Sequence, residues 1–164
     1  MIGQTFTRYS AERLELHSSR IQDCLAKLTY EQIWMRHSDQ ENAVGNLVLH
    51  LCGNVRQWIG HGVAGRPDDR QRDTEFAARG DIDAEQLVAR LTSTIGDAVS
   101  VIRGLTPEQL DETITVQENT LTKLEAVYRI LDHFSGHTGQ IIYATKLLTG
   151  KDLGFFKHLS GPAR

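Results

Sequence analysis

The sequence is poor in residues that break, staple or span. Three prolines in 164 residues leave room for long uninterrupted helices, because proline removes a backbone donor and clashes with the preceding turn. The two cysteines, Cys24 and Cys52, each sit inside an apolar helical pattern. They make no disulfide framework and point to a reducing, cytoplasmic compartment. No apolar run approaches the roughly 18 residues of a membrane-spanning helix. The start, Met1-Ile2-Gly3-Gln4-Thr5-Phe6, has no basic region ahead of an apolar stretch, so neither a membrane span nor a signal peptide is expected. A basic surplus is also missing. Lys and Arg number 18 against 21 Asp and Glu, a formal charge of −3, which argues against a nucleic-acid binder. There is no phosphate loop, dinucleotide fingerprint or serine nucleophile elbow, and no internal repeat.

What remains is an ordinary globular composition, 40% hydrophobic and 24% charged, expected to form one domain over residues 1–164. From about Gln4 to Leu28, the residues Leu14, Ile21, Leu25 and Leu28 recur at helical spacing. Thr29 and Gln32 form a capping box for a short turn. The run Asp39 to Asn42 suits a helix start. A second helix is expected from Ala43 to His61, with Leu47, His50, Leu51, Asn54 and Trp58 on one side. Gly45 and Gly53 lie inside it despite a cost of about 1 kcal/mol each relative to Ala, which implies close approach of a neighbouring element.

Gly62 to Gly80 reads as a long loop dense in both charge signs, either solvated or a functional lid, with Phe76 as its anchor. Asp81 to Gln86 opens a third helix that runs to Arg103, with Leu87, Leu91, Ile95, Ala98 and Ile102 as its stripe. Thr106 and Pro107 start a short helical turn. Thr113 to Gln117 alternates like a strand but has no evident partner, and is expected to be an extended connector. Thr122 and Glu125 cap a fourth helix that ends at Thr149, with Gly150 as its C-cap. Its inward stripe reads Ala126, Ile130, His133, His137, Ile141, Ala144 and Leu148. The tail, Lys151 to Arg164, would dock Phe155 and Phe156 on the helices or on a second subunit. The expected fold is all-α, a four-helix bundle with a long loop between helices 2 and 3.

His133 and His137 are four residues apart, so they share one helix face a turn apart and can share one metal ion. His50 is a third imidazole on an apolar face, where it needs a partner. His17 falls at the edge of another such face. The residues alone leave two readings open: a metal site, or histidines that hydrogen-bond within the core. A thermolysin-type site is disfavoured because Phe134 follows the first histidine where that motif needs Glu. A di-iron carboxylate site is disfavoured because Leu47, Ile130 and Phe134 stand three residues before the histidines.

Three stretches carry a resemblance. They are Asn46-Leu47-Val48-Leu49-His50-Leu51-Cys52-Gly53-Asn54 continuing to Trp58, Arg70-Gln71-Arg72-Asp73-Thr74-Glu75-Phe76, and His133-Phe134-Ser135-Gly136-His137-Thr138-Gly139-Gln140-Ile141. In this order and spacing the chain resembles the DinB/YfiT-like superfamily over nearly its whole length. The resemblance implies a four-helix bundle, commonly a homodimer, with a divalent metal ion such as zinc or nickel held by His50, His133 and His137. Characterised relatives include thiol-dependent S-transferases and an isomerase that use low-molecular-weight thiols, and others are described as metal-dependent hydrolases.

Three neutral imidazoles leave exchangeable positions on a metal, which can then lower the pKa of a substrate thiol or of water. The leading expectation is a metal-dependent transferase that moves a low-molecular-weight thiol cosubstrate onto a small electrophile. The alternatives are a hydrolase that activates water, or a non-catalytic metal-stabilised bundle that binds a ligand, in which His17 would close the coordination. Arg70 and Arg72 would bind carboxylates of the thiol. Asn54 and Gln140 would support the histidines or face the substrate. No carboxylate stands out as a general base.

Overall fold

The computed structural model describes residues 1–159. The chain is mostly helical: α1 (Ile2–Leu25), α2 (Tyr30–Trp34), α3 (Val44–Val55), α4 (Arg72–Ala77), α5 (Ala84–Gly104), α6 (Pro107–Leu110) and α7 (Lys123–Thr149). Strands β1 (Thr113–Val116) and β2 (Asn119–Thr122) separate α6 from α7. α1 packs against α5 and α7, and α3 packs against the same two helices. Among the described residues no helix is long and apolar enough to cross a membrane.

The helix starts follow local chemistry. Thr29, Asp83, Thr106 and Thr122 each accept a hydrogen bond from the backbone N–H three residues on, and the Gln or Glu there accepts one in return from the cap's own N–H. Gly150 ends α7 in the left-handed conformation at φ 63°. The expected stripe of α5 is buried throughout: Leu87, Leu91, Ile95, Ala98 and Ile102 are all core residues. The C-terminal segment lies along α1, where Phe155 and Phe156 sit 5.5 and 5.1 Å from the guanidinium of Arg20. The last residues of the tail, 160–164, lie outside the described residues.

α3 departs from a one-sided reading, because all 12 of its residues are buried. A helix covered on every side needs neighbours at close range, and its glycines provide the room. A Cβ on Gly45 would stand 2.8 Å from the indole of Trp34, which instead lies flat on the helix and donates to the Ile82 carbonyl at 2.9 Å. Past Val55 the backbone widens into π-type turns over Arg56–Val63, so the expected single helix to His61 changes pitch halfway. Gly62 in this wide segment leaves the space that Val116 of β1 fills.

Two expectations are corrected here. Thr113–Val116 is not a lone connector: it pairs antiparallel with Asn119–Thr122, Ile114 opposite Leu121 and Val116 opposite Asn119. The fold is therefore mostly helical with a small hairpin, not purely helical. The two-residue turn is Gln117-Glu118, with φ of 50° and 64°. Both central residues have positive φ, as a twisted two-residue hairpin requires, but neither is the Asn or Gly that adopts it easily. The long loop is likewise not structureless, since α4 forms inside it.

Relieving the turn should stabilise the protein. Glu118→Gly removes left-handed strain of about 1 kcal/mol, which for this length corresponds to a rise in Tm of about 2–4 °C. An unchanged or lower Tm by calorimetry would show that the turn is not strained.

Candidate metal centre

α3 delivers His50, and α7 delivers His133 and, one turn later, His137. The buried stripe of α7 runs through Ala126, Val127, Ile130, Phe134, Thr138, Ile141 and Thr145. His133 and His137 lie on its flank and are only half-buried, so they line an opening and not the core. Their Nε2 atoms converge with that of His50: His50 to His133 is 3.1 Å and His137 to His133 is 3.2 Å. The three side chains form a cluster able to hold a metal ion.

The outer nitrogens fix the tautomers of two rings. His50 Nδ1 lies 3.2 Å from Glu75 Oε2 and 3.1 Å from Arg70 Nη2. Arg70 is always a donor and already gives two N–H groups to Glu75, at 2.9 and 2.8 Å. The assignment that satisfies all three puts the proton on His50 Nδ1, donated to Glu75, and leaves the Nε2 lone pair facing inward. His137 Nδ1 lies 2.7 Å from Gln140 Oε1 and must donate to it, so its Nε2 also presents a lone pair. His133 has one proton at most when neutral, and its buried Nδ1 has no partner among the described residues. With that proton on Nδ1, the His133 Nε2 lone pair faces those of His50 and His137 at 3.1 and 3.2 Å; with it on Nε2, it can be directed at only one of the two. A cation relieves this. With metal–nitrogen bonds of about 2.0–2.1 Å, adjacent ligand nitrogens stand about 3.0–3.4 Å apart, so the donor set fits a divalent ion.

Burial keeps the two α7 rings in the ligating form. Burial, with the nearby His137, His50, Arg70 and Arg129 adding to it, pushes His133 down to about 4. Burial also lowers His137, against the raising effect of its bond to Gln140. Burial pushes the Glu75 carboxyl up, but hydrogen bonds from Arg70 and His50 outweigh it and hold it below the usual range.

Glu75 is the functional residue the sequence did not reveal. It is 8% exposed and sits on α4, and a Cβ on Gly53 would overlap its carboxylate. The signal was present in Gly53 itself, a helix glycine that demands a close neighbour. The segment around Glu75 is clamped through its backbone. Asn46 donates to the carbonyls of Glu75 and Ala78 at 2.8 and 3.0 Å, while Arg36 joins Asn46 Oδ1 at 2.6 Å to the Phe76 carbonyl at 3.0 Å.

The histidines open onto a cleft of about 620 Å³ lined also by Asn54, Trp58, Phe76, Gln117, Arg72 and Arg129. Asn54 is buried one turn beyond His50 and faces this space. Gln140 is exposed and acts through His137. Arg70 and Arg72 take different places. The side chain of Arg70, only 3% exposed, is engaged by Glu75 and by Gln57 Oε1 at 2.9 Å, so it braces His50 and does not serve as a free carboxylate binder. Arg72 is exposed, with its guanidinium carbon over the Phe76 ring, 4.8 Å from the centroid. Phe76, the expected loop anchor, lies against His50 with ring centroids 4.8 Å apart. His17 is not part of the cluster; it lies against Phe134 and Arg13 between α1 and α7.

The family described as "Protein of unknown function (DUF1572)" matches residues 1–163. The chain belongs to that family. Among solved structures, the DUF1572 chain is similar to a conserved protein from Enterococcus faecalis, with TM-score 0.75 and 19% identity over 88% of this chain and 98% of that one. It is similar to a DinB-like protein from Bacillus subtilis, with TM-score 0.69 and 15% identity over 90% and 97%. A third similar structure is a histidine-to-alanine mutant of a mycothiol-dependent maleylpyruvate isomerase, with TM-score 0.64 and 11% identity over 82% of this chain and 60% of that one. At these identities the likeness is one of fold, a fold shared with a DinB-like protein. No curated protein matches the chain.

In this DUF1572 chain, Gly53→Ala should expel the Glu75 carboxylate. The expected loss is about 3 kcal/mol from disrupting a buried pair, or about 6–12 °C in Tm. Metal affinity should fall about 10–100-fold with the loss of the His50 partner. Wild-type affinity in a direct metal titration would show that Glu75 does not orient His50.

A second expectation concerns pH. His133 and His17 are both held near 4 in the folded chain, against 6.5 when free, in each case chiefly by burial. Between these values the unfolded chain binds more protons, so these two rings should make the chelator-treated protein lose stability as pH drops from about 6.5 to about 4. Thermal denaturation across pH 4–7 measures this, and a flat Tm would contradict the burial of these rings.

Proposed function

We propose that this protein is a metal-dependent enzyme in which His50, His133 and His137 hold a divalent ion, with zinc or nickel as the candidates, and that it transfers a low-molecular-weight thiol to a small electrophile. The observation that carries the reading is the convergence of three imidazole nitrogens, two with their outer protons committed to Glu75 and Gln140, on an open cleft. A bound divalent ion lowers the pKa of a thiol or water beside it and so supplies a nucleophile near neutral pH. The chain's own residues prepare for this. Burial keeps His133 and His137 neutral, Glu75 and Gln140 set the ring orientations, and Asn54 offers an amide to a cosubstrate in the cleft. Among the described residues the cluster has no fourth protein ligand, which favours an exchangeable position over a closed structural site.

The thiol reading takes its direction from a structural neighbour described as mycothiol-dependent. A hydrolase would use the same centre. It is less well supported, because Glu75 is engaged by Arg70 and His50 and no carboxylate among the described residues lines the cleft as a base. The four long helical segments are read as a four-helix bundle. A cytoplasmic homodimer belongs to the same proposal; exposed Tyr9 on α1 and Tyr128 on α7 flank a groove available to a second copy.

The test is elemental analysis coupled to a conjugation screen. Purified protein should carry about one metal per chain, and the double variant His133→Ala/His137→Ala should carry none. Incubation with a panel of biological thiols and a reactive electrophile should give conjugation that chelation abolishes. Unchanged metal in the double variant would remove the centre, and metal-replete protein inert with every thiol would remove the transferase.

A further inference from the structure

We propose that Arg72 and Arg129 form an oxyanion subsite at the mouth of the histidine cleft, and that the substrate carries a carboxylate or phosphate group held there. The proposal extends the reading of this cleft as a substrate site.

The charge distribution points to it first. The chain has an acidic surplus, formal charge −3, yet the cleft lining contains Arg70, Arg72 and Arg129 and no Asp or Glu. A cleft of one sign in a protein of the opposite sign concentrates ligands of complementary charge. Arg70 is neutralised by Glu75. Arg72 and Arg129 make no ion pair or hydrogen bond within the described residues. Both are exposed, and both face a space of about 620 Å³, a size suited to a small molecule.

Each guanidinium is already positioned. Arg72 lies 4.8 Å from the ring of Phe76, which packs against His50, and Arg129 lies 4.7 Å from the ring of Trp58. The attraction to the ring restrains each guanidinium, whose N–H groups take no hydrogen-bond partner within the described residues, so a carboxylate or phosphate can be gripped with little further ordering. The spacing relates them to the reacting centre. Arg129 stands four residues before His133, which stands four before His137, so the three share one face of α7 over two turns. Arg72 reaches the same cleft from α4, on the side of His50. A substrate anchored by its anionic end at these arginines would extend its other end toward the histidines.

Full-length protein, metal-free and metal-loaded, is titrated calorimetrically with succinate and with inorganic phosphate, with succinamide as the uncharged match for succinate. At least one of the two anions should bind, and succinamide should not; the preferred anion distinguishes carboxylate from phosphate. Arg72→Ala and Arg129→Ala should each weaken that anion about tenfold or more, with Arg129→Lys in between because it keeps charge without the planar fork. Circular dichroism and metal content of the same samples should match wild type. Equal affinity in folded wild-type, Arg72→Ala and Arg129→Ala protein would overturn the subsite, as would binding of neither anion. Arginine-dependent anion binding in protein that takes up no metal would leave the subsite standing and remove the metal reading.

Discussion

The carboxylate of Glu75 occupies the hollow that Gly53 leaves on α3, and the arrangement of the candidate metal centre depends on that fit. A side chain at position 53 would collide with it. Placed there, Glu75 is buried, and a buried carboxylate is tolerated only when its lone pairs are taken. Arg70 takes two of them and His50 takes a third. The contact with His50 turns a packing solution into chemistry, because it fixes the proton on Nδ1 and aims the Nε2 lone pair at His133 and His137. Asn46 and Arg36 hold the backbone of the same segment, so the short helix α4 is fixed where Glu75 meets His50.

The legible and illegible parts of the centre divide along physical lines. His133 and His137 could be read from spacing, since helical periodicity places them on one face whatever surrounds them. His50 could be read from its apolar neighbours. Arg129 lies on the same four-residue repeat as the two α7 histidines and was within reach of that argument. Glu75 was not, because its role comes from a contact between residues 25 apart in the chain, which no local period encodes. Gly53 announced a close neighbour without naming it. The turn of the hairpin escaped for a local reason: Gln117 and Glu118 adopt positive φ without the Asn or Gly that signals it. The pitch change after Val55 accompanies the packing of Val116 into the space at Gly62, a tertiary contact that no local period encodes.

The same division applies to the two loop arginines. Adjacent in type and nearly in sequence, Arg70 and Arg72 invite one role. The fold separates them, one facing inward to neutralise Glu75 and brace His50, the other outward over Phe76. The first belongs to the wall of the centre and the second to its mouth. Two arginines without an ion-pair partner among the described residues at the mouth, and three imidazoles at the base, give the cleft two chemically distinct ends.

The central claim is that three Nε2 atoms surround one ion that keeps an exchangeable position. X-ray absorption spectroscopy at the edge of the metal in purified protein tests it most directly. The account predicts a shell of three imidazole nitrogens at about 2.0–2.1 Å, completed by one or more ligands that change when a thiol is added. A sulfur from Cys24 or Cys52, a protein carboxylate in the first shell, or a shell indifferent to thiol would contradict it.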